Sequence, residues 1–104
     1  MLRDFFLGMM KIHILYHASK EQVYGAAMME ELGRHGYEIS PGTIYPMLHG
    51  LEREGLVIST HQAVDGKVRR YYTITELGRD ALQEARVKGR ELVREVLELD
   101  DSTA

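Results

Sequence analysis

Three groups of residues in this chain have types and spacing suited to chemistry. The first lies on the stretch 40–55, where Thr43, Tyr45, Pro46 and His49 turn away from an apolar stripe of Ile44, Leu48 and Leu51. Hydroxyls and an imidazole on a helix face can hydrogen-bond to base edges in the major groove of duplex DNA. The second is Lys67, Arg69 and Arg70, three bases within four positions with only Asp65 nearby. Such a cluster suits phosphate oxygens, which position a protein on DNA without reading its sequence. The third is His13 and His17, four apart and so on one face of a helix. That is the spacing of a metal-binding pair, but two nitrogens do not complete a zinc site and no third ligand is in view. No metal and no cofactor are expected.

These residues need elements to position them. Ser40 is a good N-cap, Pro41 suits the first helical position, and Gly55 ends the stretch, so a helix is predicted over 41–54. Pro46 falls in its second turn and cannot donate to the Gly42 carbonyl. A tolerated kink and a stiff contact surface are both open readings of that proline. Before it, a helix is predicted from Val23 to about His35, with Tyr24, Met28 and Leu32 in one row and Gly33 and Gly36 bracketing its end. Ile39 is placed to staple onto the next helix. Helix, short turn and capped helix form the spacing of a helix-turn-helix unit.

After Gly55 come two runs rich in β-branched and aromatic residues, Leu56–His61 and Val68–Ile74, with Asp65-Gly66 between them as a hairpin turn. With Leu56, Ile58 and Ile74 facing the core, alternation puts Tyr72 inside and Tyr71 on the other face. Lys67, Arg69 and Arg70 then lie at the tip. A solvated tip is the commoner state of such a cluster, but a basic tip beside the helix of Thr43 and Tyr45 favours contact with DNA.

The two ends of the chain look adapted to pairing. Residues 2–18 predict a helix that is apolar nearly all round, and such a helix has to be covered on more than one side. From Thr75, a plausible N-cap, a last helix is predicted towards Asp100. Along it Gly78, Leu82, Ala85, Gly89, Leu92, Val96 and Leu99 recur at alternating spacings of four and three, a heptad seam. Packing onto the chain's own first helix and pairing with a second copy are both expected. Phe5, Phe6 and Met9 are expected to join the seam residues Leu82, Ala85, Gly89, Leu92, Val96 and Leu99 in a homodimer interface. Phe5, Met9 and Tyr16 are the candidates to line a cavity there for a small aromatic or hydrophobic effector.

The 104 residues, 44 % of them apolar, fit one domain, and with no cysteine there is neither a disulfide nor a thiolate metal site. The N-terminal apolar runs are too short and too interrupted to span a membrane, so a soluble cytoplasmic protein is expected. The net charge is −3, all of it within residues 76–104, where eight acids meet five bases; residues 1–75 balance at zero. Catalysis is not expected: the chain has no cysteine nucleophile, no glycine-rich phosphate loop and no histidine with a carboxylate at a telling spacing.

With these motifs in hand, the chain resembles the PadR family of transcriptional regulators. The likeness runs through Tyr24-Gly25, Ser40-Pro-Gly-Thr-Ile-Tyr-Pro46, Leu51-Glu-Arg-Glu-Gly-Leu56, Asp65-Gly66-Lys67, Arg70-Tyr71-Tyr72 and Ile74-Thr75-Glu76 with Gly78. It covers nearly the whole chain, and the C-terminal part is similar to that of the smaller members. The resemblance implies a mainly α fold with a small β-hairpin: a winged helix-turn-helix over residues 1–75 and a dimerisation helix over 76–104. It further implies a homodimeric repressor, relieved by a small ligand, that binds a pseudo-palindromic operator in double-stranded DNA. The implied DNA-contacting positions are Thr43, Tyr45, Pro46, His49, Lys67 and Arg69, and Ser40 at the helix start and Arg70 at the tip are expected to join them. Val68 stands where the family's wing commonly has proline, and the chain lacks the tryptophans between which some members hold flat drugs. The alternative is a winged helix that binds protein and no DNA. It is kept open by Glu52 and Glu54, which flank Arg53 on the helix itself.

Overall fold

Helix α1 spans Leu2–Lys20 in the computed structural model, which describes residues 1–97. One of its faces, with Met10, Ile14, Leu15 and Ala18, is buried within the protomer. Leu7 and Met9 are half-buried, while Leu2, Phe5, Phe6, Ile12 and Tyr16 stay exposed. Helix α2 covers Gly25–Arg34, two residues shorter at its start than the sequence pattern predicts. The reason is that Val23 is taken by the hairpin: its N–H donates to the Tyr72 carbonyl at 2.9 Å and its carbonyl accepts from Tyr72 N–H at 2.7 Å.

Helix α3, Pro41–Arg53, begins where Ser40 and Pro41 mark it. Ser40 has the extended backbone of an N-cap, but its hydroxyl makes no cap hydrogen bond. Ile44, Met47, Leu48 and Leu51 form its buried face, and Ile39 packs against the same core.

Strands β1, Val57–Val64, and β2, Lys67–Ile74, pair antiparallel through a two-residue turn at Asp65 and Gly66. Both turn residues have positive φ, 50° and 77°, the twist that suits a tight hairpin. Tyr72 is buried, as alternation predicts, and Tyr71 lies on the other face. The prediction for Ile58 is corrected: Val57 is buried and Ile58 is exposed. Leu56 does not set the phase of the strand, because its N–H still closes α3 by donating to the Leu51 carbonyl. The inward row therefore starts at Val57, opposite Ile74, and continues with Ser59 opposite Tyr72.

Helix α4, Glu76–Leu92, starts on a genuine cap: the Thr75 hydroxyl accepts from Gly78 N–H at 3.0 Å and donates to the Gly55 carbonyl at 2.6 Å. A Cβ at Gly78 would overlap the Leu56 carbonyl oxygen, so this glycine lets the helix start lie directly on the chain before β1. Leu82, 4 % exposed, also belongs to the protomer's own core. Beyond it Ala85, Gly89 and Val93 are half-buried, while Val87, Leu92, Val96 and Leu97 are exposed. The helix widens into a π-helical turn at Val93–Leu97. Leu99, expected on the seam, lies outside the described residues. No helix among the described residues is long and apolar enough to cross a membrane.

Candidate nucleic-acid interface

The side of α3 that does not face the core carries Thr43, half-buried, and Tyr45 and Pro46, both exposed, with His49 half-buried one turn on. Two clefts flank this surface. The first, about 580 Å³, is lined by Tyr45 and His49 of α3, Tyr24, Gly25 and Ala26 at the start of α2, and Lys67 to Arg70 of β2 with Tyr72. The second, about 270 Å³, brings Gly42, Thr43 and Pro46 against Arg3, Leu7 and Lys11 of α1. Arg3, Leu7 and Lys11 follow one another at intervals of four, so they line one face of α1. Neither base stands out in the sequence, since nothing in the local pattern connects α1 with the first turn of α3.

Tyr45 is laid against α2. A Cβ at Gly25 would overlap the hydroxyl-bearing edge of its ring, so glycine at that position admits the aromatic, which remains 40 % exposed. Tyr24, at the N-cap of α2, stacks edge-on with Tyr71, and the Arg69 guanidinium lies 4.6 Å from the centre of the Tyr24 ring. Arg69 is fully charged, its pKa raised first by a hydrogen bond with Tyr71. The Tyr24 side chain does not cap α2, and the start of that helix, Gly25 and Ala26, lines the first cleft beside Arg69. Uncapped N–H groups beside arginine make a surface that suits a phosphate.

Arg70 is differently engaged. It pairs with Glu52 of α3, its Nε donates to Ser59 Oγ at 3.0 Å, and Nη1 comes within 3.5 Å of His49 Nε2. Glu52 also accepts from the Ser59 N–H at 2.9 Å and from its hydroxyl at 2.7 Å. Those Ser59 bonds hold the Glu52 carboxyl below its usual pKa, with Arg70 adding to the effect. All three basic positions line the cleft; Arg69 lies over Tyr24, while Arg70 is engaged with Glu52 and Ser59 and so fastens β2 to α3.

The predicted effector residues do not gather in one cleft. Phe6 lines a cleft of about 720 Å³ with Arg3, Leu7, Met10, Tyr37 and the turn after α2, and Tyr16 lines another of about 450 Å³ between α1, α2 and α4. Phe5 and Met9 line neither; Met9 instead receives the Tyr37 hydroxyl on its sulfur at 3.7 Å.

In the Tyr16 cleft stand His13 and His17 of α1, joined by His35 just after α2. The His13 and His35 rings stack with centres 4.5 Å apart, and Glu31 lies 3.4 Å from His17 Nε2 and 3.8 Å from His35 Nε2. Burial, then the neighbouring His35 and His17, lower the His13 pKa and favour its neutral form. The third imidazole is one the sequence did not connect to the first two, because it comes from a different helix.

Residues 14–84 match the model of the transcriptional regulator PadR-like family, whose members are regulators and not enzymes. The chain is 48 % identical over 103 residues to the transcriptional regulator Rv3488 of Mycobacterium tuberculosis, covering 99 % of this chain and 96 % of that one. Among solved structures, a PadR family transcriptional regulator from Eggerthella lenta superposes with a TM-score of 0.82 at 30 % identity, over 95 % of this chain and 88 % of that one. A PadR-like transcriptional regulator from Bacillus cereus gives 0.79 at 35 % identity, over 88 % and 91 %.

Proposed function

The chain belongs to the PadR-like family of transcriptional regulators, and we propose that it acts as a homodimer binding a pseudo-palindromic operator. The observation that carries this reading is the outer surface of α3, with Thr43, Tyr45, Pro46 and His49, flanked by Lys67 and Arg69 on one side and by Arg3 and Lys11 on the other. In this proposal α3 reads base edges, with Ser40 at its start near the backbone. Lys67, Arg69 and Lys11 hold phosphates, and Arg70 sets the angle of the wing. A neutral reading helix between two basic borders divides specificity from attraction in the usual way for DNA-binding modules.

Dimerisation is supported by the apolar residues left exposed on α1 and the outer part of α4. Phe5, Phe6, Ile12, Leu92 and Val96 are too many to stay in water on a small protein unless a second copy covers them. Half-buried Met9, Ala85 and Gly89 extend the same surfaces. Repression relieved by a small aromatic or hydrophobic ligand completes the reading, with Phe5, Met9 and Tyr16 of paired α1 helices at the subunit seam. The DNA-free alternative is weakened by Glu52, which is turned to the wing and neutralised by Arg70.

Binding of the purified protein to DNA from its own upstream region, followed across a salt series, tests the proposal. Affinity is expected to fall steeply with salt. Arg69→Ala should lower the log–log slope by about one unit, and His49→Ala should weaken discrimination between operator and random DNA. The double change Leu92→Asp and Val96→Asp should give a monomer on sedimentation. Affinity that ignores salt, or a wild-type protein that sediments as a monomer, would overturn the corresponding part.

A further inference from the structure

We propose that His13 and His17 of α1, together with Glu31 of α2 and His35 at its end, bind a divalent transition-metal ion of the Zn²⁺ type. Each helix contributes a pair four residues apart, and the two pairs face one another where the helices pack. One ligand nitrogen from each histidine lies within 4.8 Å of the other two, and Glu31 Oε1 is 3.4 Å and 3.8 Å from His17 and His35. Around a tetrahedral ion with bonds of about 2.0–2.2 Å, neighbouring ligand atoms stand about 3.3 Å apart. The carboxylate contacts to His17 and His35 are already near that spacing, and the imidazole nitrogens, within 4.8 Å of one another, would close to it by side-chain rotation. His35, exposed at the end of its helix, has the room for the largest of these.

The carboxylate is also oriented. Arg34 donates to Glu31 Oε2 at 2.8 Å, so that oxygen is held on the solvent side and Oε1 is left to the histidines. A partner of this kind, which fixes the direction of a ligand, commonly raises metal affinity. Three imidazoles and one carboxylate select a borderline ion; Mg²⁺ and Ca²⁺ prefer an all-oxygen set, and the chain has no thiolate for a soft ion. The adjoining cleft of about 450 Å³ gives an ion entry from the side of Arg86. An ion there ties α1 to the first helix of the helix-turn-helix. If the DNA-binding reading above holds, its occupancy alters operator affinity.

The test is made on the free protein, so that it stands apart from any result with DNA. Chelator-treated protein is titrated with Co²⁺, then with Zn²⁺ as competitor, and its melting temperature is followed with each. One Co²⁺ per chain with the intense visible absorption of a tetrahedral site is expected, displaced by Zn²⁺, together with a raised melting temperature. His35→Asn and His17→Gln should each lower affinity at least about tenfold while melting like wild type in chelator. His61→Asn, on the exposed hairpin, should bind like wild type. Absence of a Co²⁺ spectrum and of any Zn²⁺-dependent shift overturns the site, as does equal loss in His61→Asn. An operator affinity unchanged by Zn²⁺ overturns the coupling to DNA.

Discussion

Glu52 of α3 and Arg70 of β2 are paired across the junction between helix and hairpin, and both are bonded to Ser59 of β1. The hairpin is therefore fixed to α3 by charge as well as by the burial of Val57 and Tyr72. In the proposed dimer the two wings have to hold a set distance, and a wing on a free tether could not do so.

Loss of this pair should show in both stability and pH dependence. Arg70→Ala is expected to lower stability by about 1 kcal/mol, as partly exposed pairs do, and to increase amide exchange in β1. The Glu52 carboxyl is depressed in the folded state, so its contribution is present above the unfolded pKa and is lost as pH falls through the folded value. Glu52→Gln should thus be less stable than wild type near neutrality and lose less on acidification. Melting curves from pH 3 to pH 7 check both statements.

Two glycines on α4 should respond in opposite ways. Gly78→Ala forces a methyl into the Leu56 carbonyl and Ile74, an overlap expected to cost about 1–3 kcal/mol or more. Gly89→Ala meets no atom of its own chain within 4 Å and should stabilise the protomer by up to about 1 kcal/mol through helix propensity. Chemical denaturation measures the first. For Gly89→Ala, denaturation paired with sedimentation separates a gain within the protomer from a loss at a subunit seam.

Tyr72 is buried, and its hydroxyl has no protein partner. Burial pushes the phenol pKa up, with Arg70 opposing. Tyr72→Phe keeps the ring and removes an unpaired polar group, so stability should stay level or rise by up to about 1 kcal/mol. A loss of more than that in thermal denaturation would mean that the hydroxyl is satisfied in solution.

Lys11 and Arg70 offer a contrast on DNA. Lys11→Ala should reduce the salt slope of binding by about one unit with little change in melting temperature. Arg70→Ala should act mainly on the melting temperature. Anisotropy titrations at several salt concentrations, beside melting curves of the same variants, distinguish a phosphate contact from a fastening.

What could be read from the sequence was mostly local. The cap and stripe of α3, the Asp65-Gly66 turn, the inward Tyr72 and the Thr75 start of α4 each depend on residues a few positions apart. Ile58 was misplaced because Leu56 belongs to the turn that closes α3, so the strand phase had to be counted from Val57. The late start of α2 has a similar origin, since Val23 is claimed by a strand 49 residues away. Long-range partners were hidden altogether. The Glu52–Arg70 pair, the meeting of Gly78 with the Leu56 carbonyl, the place of Arg3 and Lys11 beside Thr43, and His35 beside His13 all join separate elements.

The two hydrogen bonds between Val23 and Tyr72 have a mechanical consequence. They splice the segment between α1 and α2 onto the hairpin as a third, single-residue rung, so that segment is not a hinge. Through Val23–Tyr72 the backbone joins the end of α1 to the wing, and Glu52–Arg70 joins the wing to α3. The Arg3 and Lys11 border of the α3 surface and its Lys67 and Arg69 border thus belong to one continuous chain of hydrogen bonds and packed helix, with no free tether between them.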